Sequence, residues 1–293
     1  MPELPEVETV RQGLLGLIVG RTVKEVTHDT PKSFPNVAAD VEAFLVGSEI
    51  IGVRRRAKVL LIDLSTEYTL VIHLKMTGQL VYRATGIAFG AGHPNDSLIG
   101  ELPDRSTRVT FIFSDGSHLY FNDQRKFGWV RLLPTIEVPN IDFMKKVGPE
   151  PLEAVFTAEA FTERFLRRAR SPIKAALLDQ TVVAGVGNIY ADESLWGAKI
   201  HPLRLVSSVT EGEFKQLYKA LRDVMNLAIE KGGSTDKNYV NAEGKRGSYM
   251  DFASVFRREG QACPRCGTTI IKFKAAGRGT HICPHCQTRE VEL

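Results

Sequence analysis

Cys263-Pro264-Arg265-Cys266, sixteen intervening residues, then Cys283-Pro284-His285-Cys286: this stretch holds all four cysteines of a 293-residue chain. Two Cys-x-x-Cys knuckles at such a separation match a four-thiolate zinc ribbon, in which each tight turn presents two sulfurs to one tetrahedral ion. Redox pairing is the alternative. A thioredoxin-type pair does not come twice, however, and a cytoplasmic compartment disfavours stable disulfides. His281 and His285 stand beside the knuckles and are surplus to a four-thiolate set. The segment is too small to hold itself together by apolar burial, so its fold depends on one structural Zn²⁺. Between the knuckles, Lys272, Lys274 and Arg278 fall on a β-hairpin with Gly277 and Gly279 at its tip, a basic finger suited to a phosphate backbone.

Charge follows the same segment. From Gly232 to the end there are 10 Lys/Arg against 6 Asp/Glu, whereas the rest of the chain is balanced at 28 of each. The whole net charge of +4 therefore sits in the last fifth, an asymmetry that points to a polyanionic partner. Hydrophobic residues at 43% and charged residues at 25% exclude a disordered or fibrous chain. The longest apolar runs, Leu14–Val19 (broken by Gly16) and Val59–Ile62, fall far short of the roughly 18 residues that span a bilayer. The acidic start Met1-Pro2-Glu3-Leu4-Pro5-Glu6 is unlike a signal or transit peptide, so the expectation is a cytoplasmic protein without membrane attachment.

Working toward the N-terminus, the hydrophobic period divides the remainder. Val7, Val10, Leu14 and Ile18 share one helical face. Short β-branched runs follow at 22–27, 49–53, 59–64, 69–74, 108–113, 117–121 and 128–132, joined by tight turns such as Ser114-Asp115-Gly116. This half reads as an antiparallel β-sandwich with a leading helix. The stretch from Ala84 to Asp104 is Gly-rich and aperiodic, and is expected to be a mobile loop. Gly148-Pro149-Glu150-Pro151 marks a boundary, beyond which the period becomes helical over 158–169, 173–178, 188–196 and 211–229. Thr210-Glu211-Gly212-Glu213 is a capping box, with Phe214, Leu217, Leu221 and Val224 on the buried face of the last helix. The expectation is an α+β chain: a sandwich domain over 1–135, a linker over 136–148, a helical domain over 149–255 and a zinc hairpin over 256–293.

Met1-Pro2-Glu3-Leu4-Pro5-Glu6-Val7-Glu8-Thr9-Val10 resembles the start of the bacterial formamidopyrimidine-DNA glycosylases, also called 8-oxoguanine DNA glycosylases. The resemblance continues through Arg55-Arg56-Ala57-Lys58, His73-Leu74-Lys75-Met76-Thr77-Gly78, Gly148-Pro149-Glu150-Pro151-Leu152, Gly185-Val186-Gly187-Asn188 with Ile189-Tyr190-Ala191-Asp192-Glu193, and Gly277-Arg278-Gly279-Thr280. These blocks keep the family's order over nearly the full length. The related endonuclease VIII typically has Gly where this chain has Leu4, which favours the formamidopyrimidine branch.

The resemblance implies a monomeric repair enzyme, acting on duplex DNA in a bacterial cytoplasm and at the nucleoid. It would excise oxidised purines and cut the strand by β,δ-elimination. The alternatives are an endonuclease VIII-like enzyme for oxidised pyrimidines and a non-catalytic zinc-ribbon protein that binds damaged DNA. Chemistry supports an enzyme. Removal of Met1 leaves Pro2 as a secondary α-amine titrating near 8, so much of it is a neutral nucleophile at physiological pH. Glu3 is placed to protonate the opening sugar ring, and Glu6, one helical turn on, to orient the amine or share its proton. Both also read simply as an acidic first turn favoured by the helix dipole.

By resemblance Lys58 binds the phosphate beside the lesion and assists β-elimination, while Arg278 contacts phosphate and serves δ-elimination. A base inside a duplex has to be extruded before attack, and something has to fill the gap. Met76, Arg125 and Phe127 match the family's intercalating set, an apolar wedge plus an arginine for the orphaned base. His73, Arg108, Lys126, Arg170, Lys174 and Asn188 complete the expected DNA contacts. The polar stretch from Gly232 through Lys237-Asn238-Tyr239 and Lys245-Arg246-Gly247 corresponds to the family's cap over the extruded base. Departures are Arg105-Ser106-Thr107-Arg108 where relatives carry Lys-His-Asp-His, a longer 84–104 loop, Lys126 in place of arginine, and Phe256-Arg257-Arg258-Glu259 where Tyr-Gly-Arg is common.

Overall fold

Alternating β-branched and aromatic residues build most of the first half. The computed structural model describes residues 2–93, 95–234 and 249–289. Helix α1 (Leu4–Ile18) leads into β1 (Val23–His28), α2 (Ala38–Phe44), β2 (Ile50–Arg56), β3 (Val59–Leu64), β4 (Tyr68–His73), β5 (Gly78–Ala84), β6 (Ile87–Gly92), β7 (Thr107–Phe113), β8 (His118–Asp123), β9 (Trp129–Pro134) and α3 (Asp142–Lys146). The strands form a five-stranded sheet, β1-β7-β8-β5-β6, and a four-stranded sheet, β2-β3-β4-β9, both antiparallel.

Period-two alternation explains how the sheets pack. Leu60, Ile62 and Leu64 of β3 join Leu80, Phe111 and Phe121 in one core shared by both sheets. Val59 and Leu61, on the opposite face, pack with Val71, Val138, Ile141 and Phe143. Part of the stretch expected as a linker is thus a cover for the outer face of the four-stranded sheet. Helix α1 adds Val7, Val10, Leu14 and Ile18 to the main core, all fully buried, at roughly 1.5–3 kcal/mol for each large aliphatic side chain.

The expected loop over 84–104 is not aperiodic. It contains β6, which pairs along β5 from Gln79↔Gly92 to Ala84↔Ile87, and a 3₁₀ turn at Asp96–Leu98. Close packing accounts for the small residues that hid the strand. Phe89 of β6 occupies the space where a Cβ on Gly13 of α1 would stand, and Gly92 (φ +124°) lies against the backbone of Gly78 and Gln79. Arg83 Nη2 donates to the Leu98 carbonyl at 2.7 Å, and Ser97 Oγ donates to Asp104 at 2.6 Å. The segment is folded onto the sheet.

That first compact unit runs to Lys145 and takes up the chain again from Lys231; a second unit runs from Lys146 to Glu230 and resumes at Tyr249. The second unit comprises α4 (Ala158–Leu166), α5 (Ile173–Leu178), α6 (Asn188–Gly197), α7 (Glu211–Glu230), β10 (Ile271–Ala275) and β11 (Arg278–Ile282). Phe161 and Phe165 of α4 pack against Phe214 and Tyr218 of α7. The Thr210–Glu213 capping box forms, with Thr210 N–H donating to Glu213 at 2.8 Å. Its buried stripe is Phe214, Leu217, Leu221, Met225 and Ala228; Val224, expected inside, is half-buried because a 3.6-residue period brings Met225 under the helix instead. The β10–β11 hairpin, drawn in sequence as a separate domain, belongs to the same compact unit as the helices. Among the described residues, no helix is long and apolar enough to cross a membrane.

Candidate active site

Pro2 and Glu3 are buried at the head of α1. Glu3 is the N-cap and forms a capping box with Glu6, whose Oε2 accepts the Glu3 N–H at 2.7 Å. Oε1 of Glu6 accepts the Ser234 N–H at 2.8 Å. Gly233, at φ +85°, approaches so closely that a Cβ there would stand 3.2 Å from Glu6. Glu6 therefore does two backbone tasks: it fixes the conformation of Glu3 and ties the start of the 233–234 segment to α1. The lid stretch that follows, 235–248, lies outside the described residues.

Lys58 is 7% exposed, in the turn between β2 and β3 rather than on a solvated edge. That turn needs a left-handed residue, Ala57 at φ +52°. Arg55 braces it, donating through Nη1 to the Ala57 carbonyl and through Nε to Glu8 Oε2, both at 3.0 Å. Glu8 also holds Arg11 at 2.6 Å. Burial alone raises the Glu8 carboxyl, but hydrogen bonds from Arg11 and Arg55 outweigh it and hold Glu8 below its ordinary value. One charged cluster thus links the helix that starts at Glu3 with the turn that carries Lys58. His73 pairs with Val59 across β3 and β4. Burial, then the charges of Lys75 and Lys58, push it down to about 3. Its Nδ1 accepts the Lys75 N–H at 3.0 Å, as a neutral imidazole does.

Met76, Arg125 and Phe127 come together on two loops, 74–77 and 124–128. Arg125 Nη1 lies 3.0 Å from the Met76 sulfur, and its guanidinium sits 4.9 Å from the Phe127 ring centroid. Phe127 is 46% exposed, unusual for a phenylalanine that is not meeting a partner. Lys126, between them, is exposed at φ +56°. Both loops converge on the buried carboxylate of Asp123, which the sequence reading passed over. Arg108 needs correction. It is 6% exposed, and its guanidinium is committed to Asp29, the Asp123 carbonyl and the Arg105 carbonyl, so it is a structural arginine rather than a phosphate ligand.

In the second unit the four cysteine sulfurs lie within 4.8 Å of one another, with Cys266 at 3.4 Å from Cys283 and 3.5 Å from Cys286. Four thiolates about 2.3 Å from one tetrahedral ion require such spacing, and they leave no open position for water. The donor set fits a structural Zn²⁺. His281 is not a ligand: its Nδ1 faces Asp192 at 3.2 Å and its Nε2 faces Glu259 at 3.3 Å. The hairpin turns at Ala276-Gly277, both left-handed, while Gly279 lies in β11 opposite Lys274 instead of at the tip. Arg278 follows the turn, exposed.

Lys174, expected at a phosphate, has no exposed surface. It pairs with Asp192 at 2.6 Å and donates to Thr280 at 2.7 Å, so it is a buried strut. Asp192 also accepts the His281 N–H at 2.9 Å. Its neighbour Glu193 accepts the N–H groups of Ser254, Val255 and Phe256 at 2.7–2.8 Å. These adjacent carboxylates of α6 grip β11 and the segment leading to the first knuckle. Asn188 donates one of its two amide N–H groups to the Gly279 carbonyl at 2.9 Å, next to the backbone amides at the start of α6 that suit an anion. Arg170 is exposed.

Three family models match the chain: the formamidopyrimidine-DNA glycosylase N-terminal domain over residues 1–130, the H2TH domain of the same enzymes over 147–239, and a zinc finger found in FPG and IleRS over 260–289. A formamidopyrimidine-DNA glycosylase of Pelotomaculum thermopropionicum is 42% identical over 98% of this chain and 99% of its own. One from Streptococcus pyogenes is 43% identical over 99% of each. Among solved structures, a Lactococcus lactis FPG mutant bound to Fapy-dG containing DNA superimposes with a TM-score of 0.86 at 35% identity, covering 98% of this chain and all of the other. The wild-type L. lactis protein with an oxidized pyrimidine containing DNA gives 0.84 at 35% identity, with the same coverage. MutM (FPG) from Thermus thermophilus gives 0.83 at 39%, covering 99% and 100%.

Proposed function

Since this chain belongs to the formamidopyrimidine-DNA glycosylase family, we propose that it excises oxidised purines from duplex DNA through Pro2 and cuts the strand by β,δ-elimination. The observation that carries the mechanism is the buried Pro2-Glu3 pair at a helix N-cap, with Glu3 locked by Glu6. After removal of Met1, the neutral Pro2 nitrogen attacks the sugar C1′. The N–C1′ bond forms as the bond to the base breaks, and the base departs with the electron pair and a proton. Glu3 protonates O4′ as the ring opens, leaving a cationic iminium that acts as an electron sink. Loss of a C2′ proton expels the 3′ phosphate, and a second elimination expels the 5′ phosphate.

Lys58 holds the phosphate beside the lesion and assists the first elimination; Arg278 contacts phosphate and serves the second. Met76, Arg125 and Phe127 fill the gap left by the extruded base. Lys126, Arg170 and the backbone at the start of α6 add phosphate contacts that fix register. The zinc ion is structural and holds the hairpin. The protein acts as a monomer in the bacterial cytoplasm, at the nucleoid. The L. lactis complex with an oxidized pyrimidine supports a second substrate class for this chain.

Cleavage of duplexes carrying 8-oxoguanine, a formamidopyrimidine or thymine glycol tests the reading. The purine lesions should be cut faster. Glu3→Gln should lower excision by about 10²–10⁴-fold, because an amide cannot deliver the proton. A Glu3→Gln protein cutting at the wild-type rate removes Glu3 from the mechanism; an intact chain that binds every duplex and cuts none is a damage-binding protein instead.

A further inference from the structure

We propose that Asp123 is the positioning residue for base extrusion: one buried carboxylate that sets both loops of the wedge before DNA arrives. The proposal rests on the reading of Met76, Arg125 and Phe127 as the groups that enter the duplex. Asp123 ends β8 and has no exposed surface. Its Oδ1 accepts the Thr77 hydroxyl and, at 3.2 Å, the Arg125 N–H. Its Oδ2 accepts the N–H groups of Phe127 at 2.8 Å and Gly128 at 2.6 Å. Thr77 Oγ1 closes the ring by accepting the Arg125 N–H at 3.1 Å.

An aspartate that merely caps its own turn satisfies donors one to five residues ahead. Asp123 does that and also reaches Thr77 on a different loop, the residue after Met76. The backbone of Arg125 and of Phe127, and the neighbour of Met76, are therefore referred to the same two oxygen atoms. The surroundings leave little slack. A Cβ on Gly128 would stand 2.7 Å from the Phe121 ring and 3.1 Å from Asp123 Oδ2, and Lys126 is held at a positive φ between the two wedge residues. The carboxylate's own backbone is fixed on both sides, its N–H donating to the Ser106 carbonyl at 2.7 Å and its carbonyl accepting Arg108 Nε at 2.8 Å. A wedge that has to meet a stacked base pair gains from such preorganisation, because ordering it during extrusion would add to the barrier.

Asp123→Asn places an amide nitrogen against donors and releases one loop from the other. Excision of 8-oxoguanine from a duplex should then fall by about 100-fold. Cleavage of a preformed abasic site in single-stranded DNA should hold at the wild-type rate, since that strand has no stacked base to displace. Discrimination between cytosine and adenine opposite the lesion should relax, because Arg125 no longer meets the orphaned base in one place. Thr77→Val, which removes a single bond of the ring, should shift duplex excision in the same direction by less, and decides the matter if Asp123→Asn does not fold. Equal losses on both substrates, or unaltered duplex excision in both variants, overturns the proposal. A Phe127→Ala control separates the two ideas. If it excises normally from duplex, the wedge reading itself fails; if it is impaired while Asp123→Asn and Thr77→Val are normal, the wedge stands and its positioning by Asp123 does not.

Discussion

The wedge loops of the first unit and the zinc hairpin of the second solve one problem by different means. Each displays an exposed cation, Arg125 on a short loop and Arg278 at the start of β11 beside the hairpin turn, which on the proposed reading has to be held in place against DNA. The wedge loops are fixed by hydrogen bonds to one buried carboxylate at the end of β8, in a sandwich whose two sheets share a large hydrophobic core. Among the described residues the hairpin packs on a small apolar cluster, Val255, Cys263, Ile270 and Cys283 with Trp196, and relies on four sulfurs plus the grip of Asp192 and Glu193. A large core lets polar positioning be done by single side chains. A small one needs a metal.

Removing the metal should give the largest effect. Cys283→Ser leaves three thiolates for the ion, and chelation of the wild-type protein takes the ion from all four; either should unfold the hairpin, because binding free energy is folding free energy in such segments. Zinc content should fall and DNA binding weaken, while melting of the sandwich holds. Loss of the sandwich transition together with zinc would erase the contrast between the two regions. Arg278→Ala is the subtler change. Zinc content should be unaltered, binding weaker, and the slope of log affinity against log salt shallower by about one phosphate contact. A variant with wild-type affinity and slope would remove the hairpin from the DNA-binding surface.

The same contrast explains what the sequence disclosed. Ligands with obligatory spacing are legible at once, and so were α1, the capping box of α7 and seven of the strand runs. β6 was missed because Gly90 and Gly92 interrupt the alternation for reasons of close packing that only the tertiary structure supplies, and β5 because its run from Gly78 to Tyr82 is buried on both faces and does not alternate. At the site, Pro2, Glu3 and Lys58 were legible through family blocks. Arg108 and Lys174 looked like phosphate ligands because a basic residue reads the same whether its partner is DNA or a buried aspartate. Asp123, Asp192 and Glu193 were invisible as organisers for the converse reason. An acidic residue in a turn or on a helix usually faces water, and the telling partners here are distant in sequence: the Thr77 hydroxyl for Asp123, the His281 N–H for Asp192 and the N–H groups of Ser254, Val255 and Phe256 for Glu193. In Asp123 and its ring with Thr77, the only local hint was an Asp two residues before Arg125.

The central claim is covalent chemistry at Pro2. Borohydride reduction during turnover of an 8-oxoguanine duplex should freeze the iminium as a protein–DNA adduct, and peptide mapping should place it on Pro2. Pro2→Gly, or any residue kept ahead of Pro2, should abolish the adduct while binding to damaged duplex persists. Full trapping by a chain that retains Met1, or an adduct mapped to Lys58, would contradict the account.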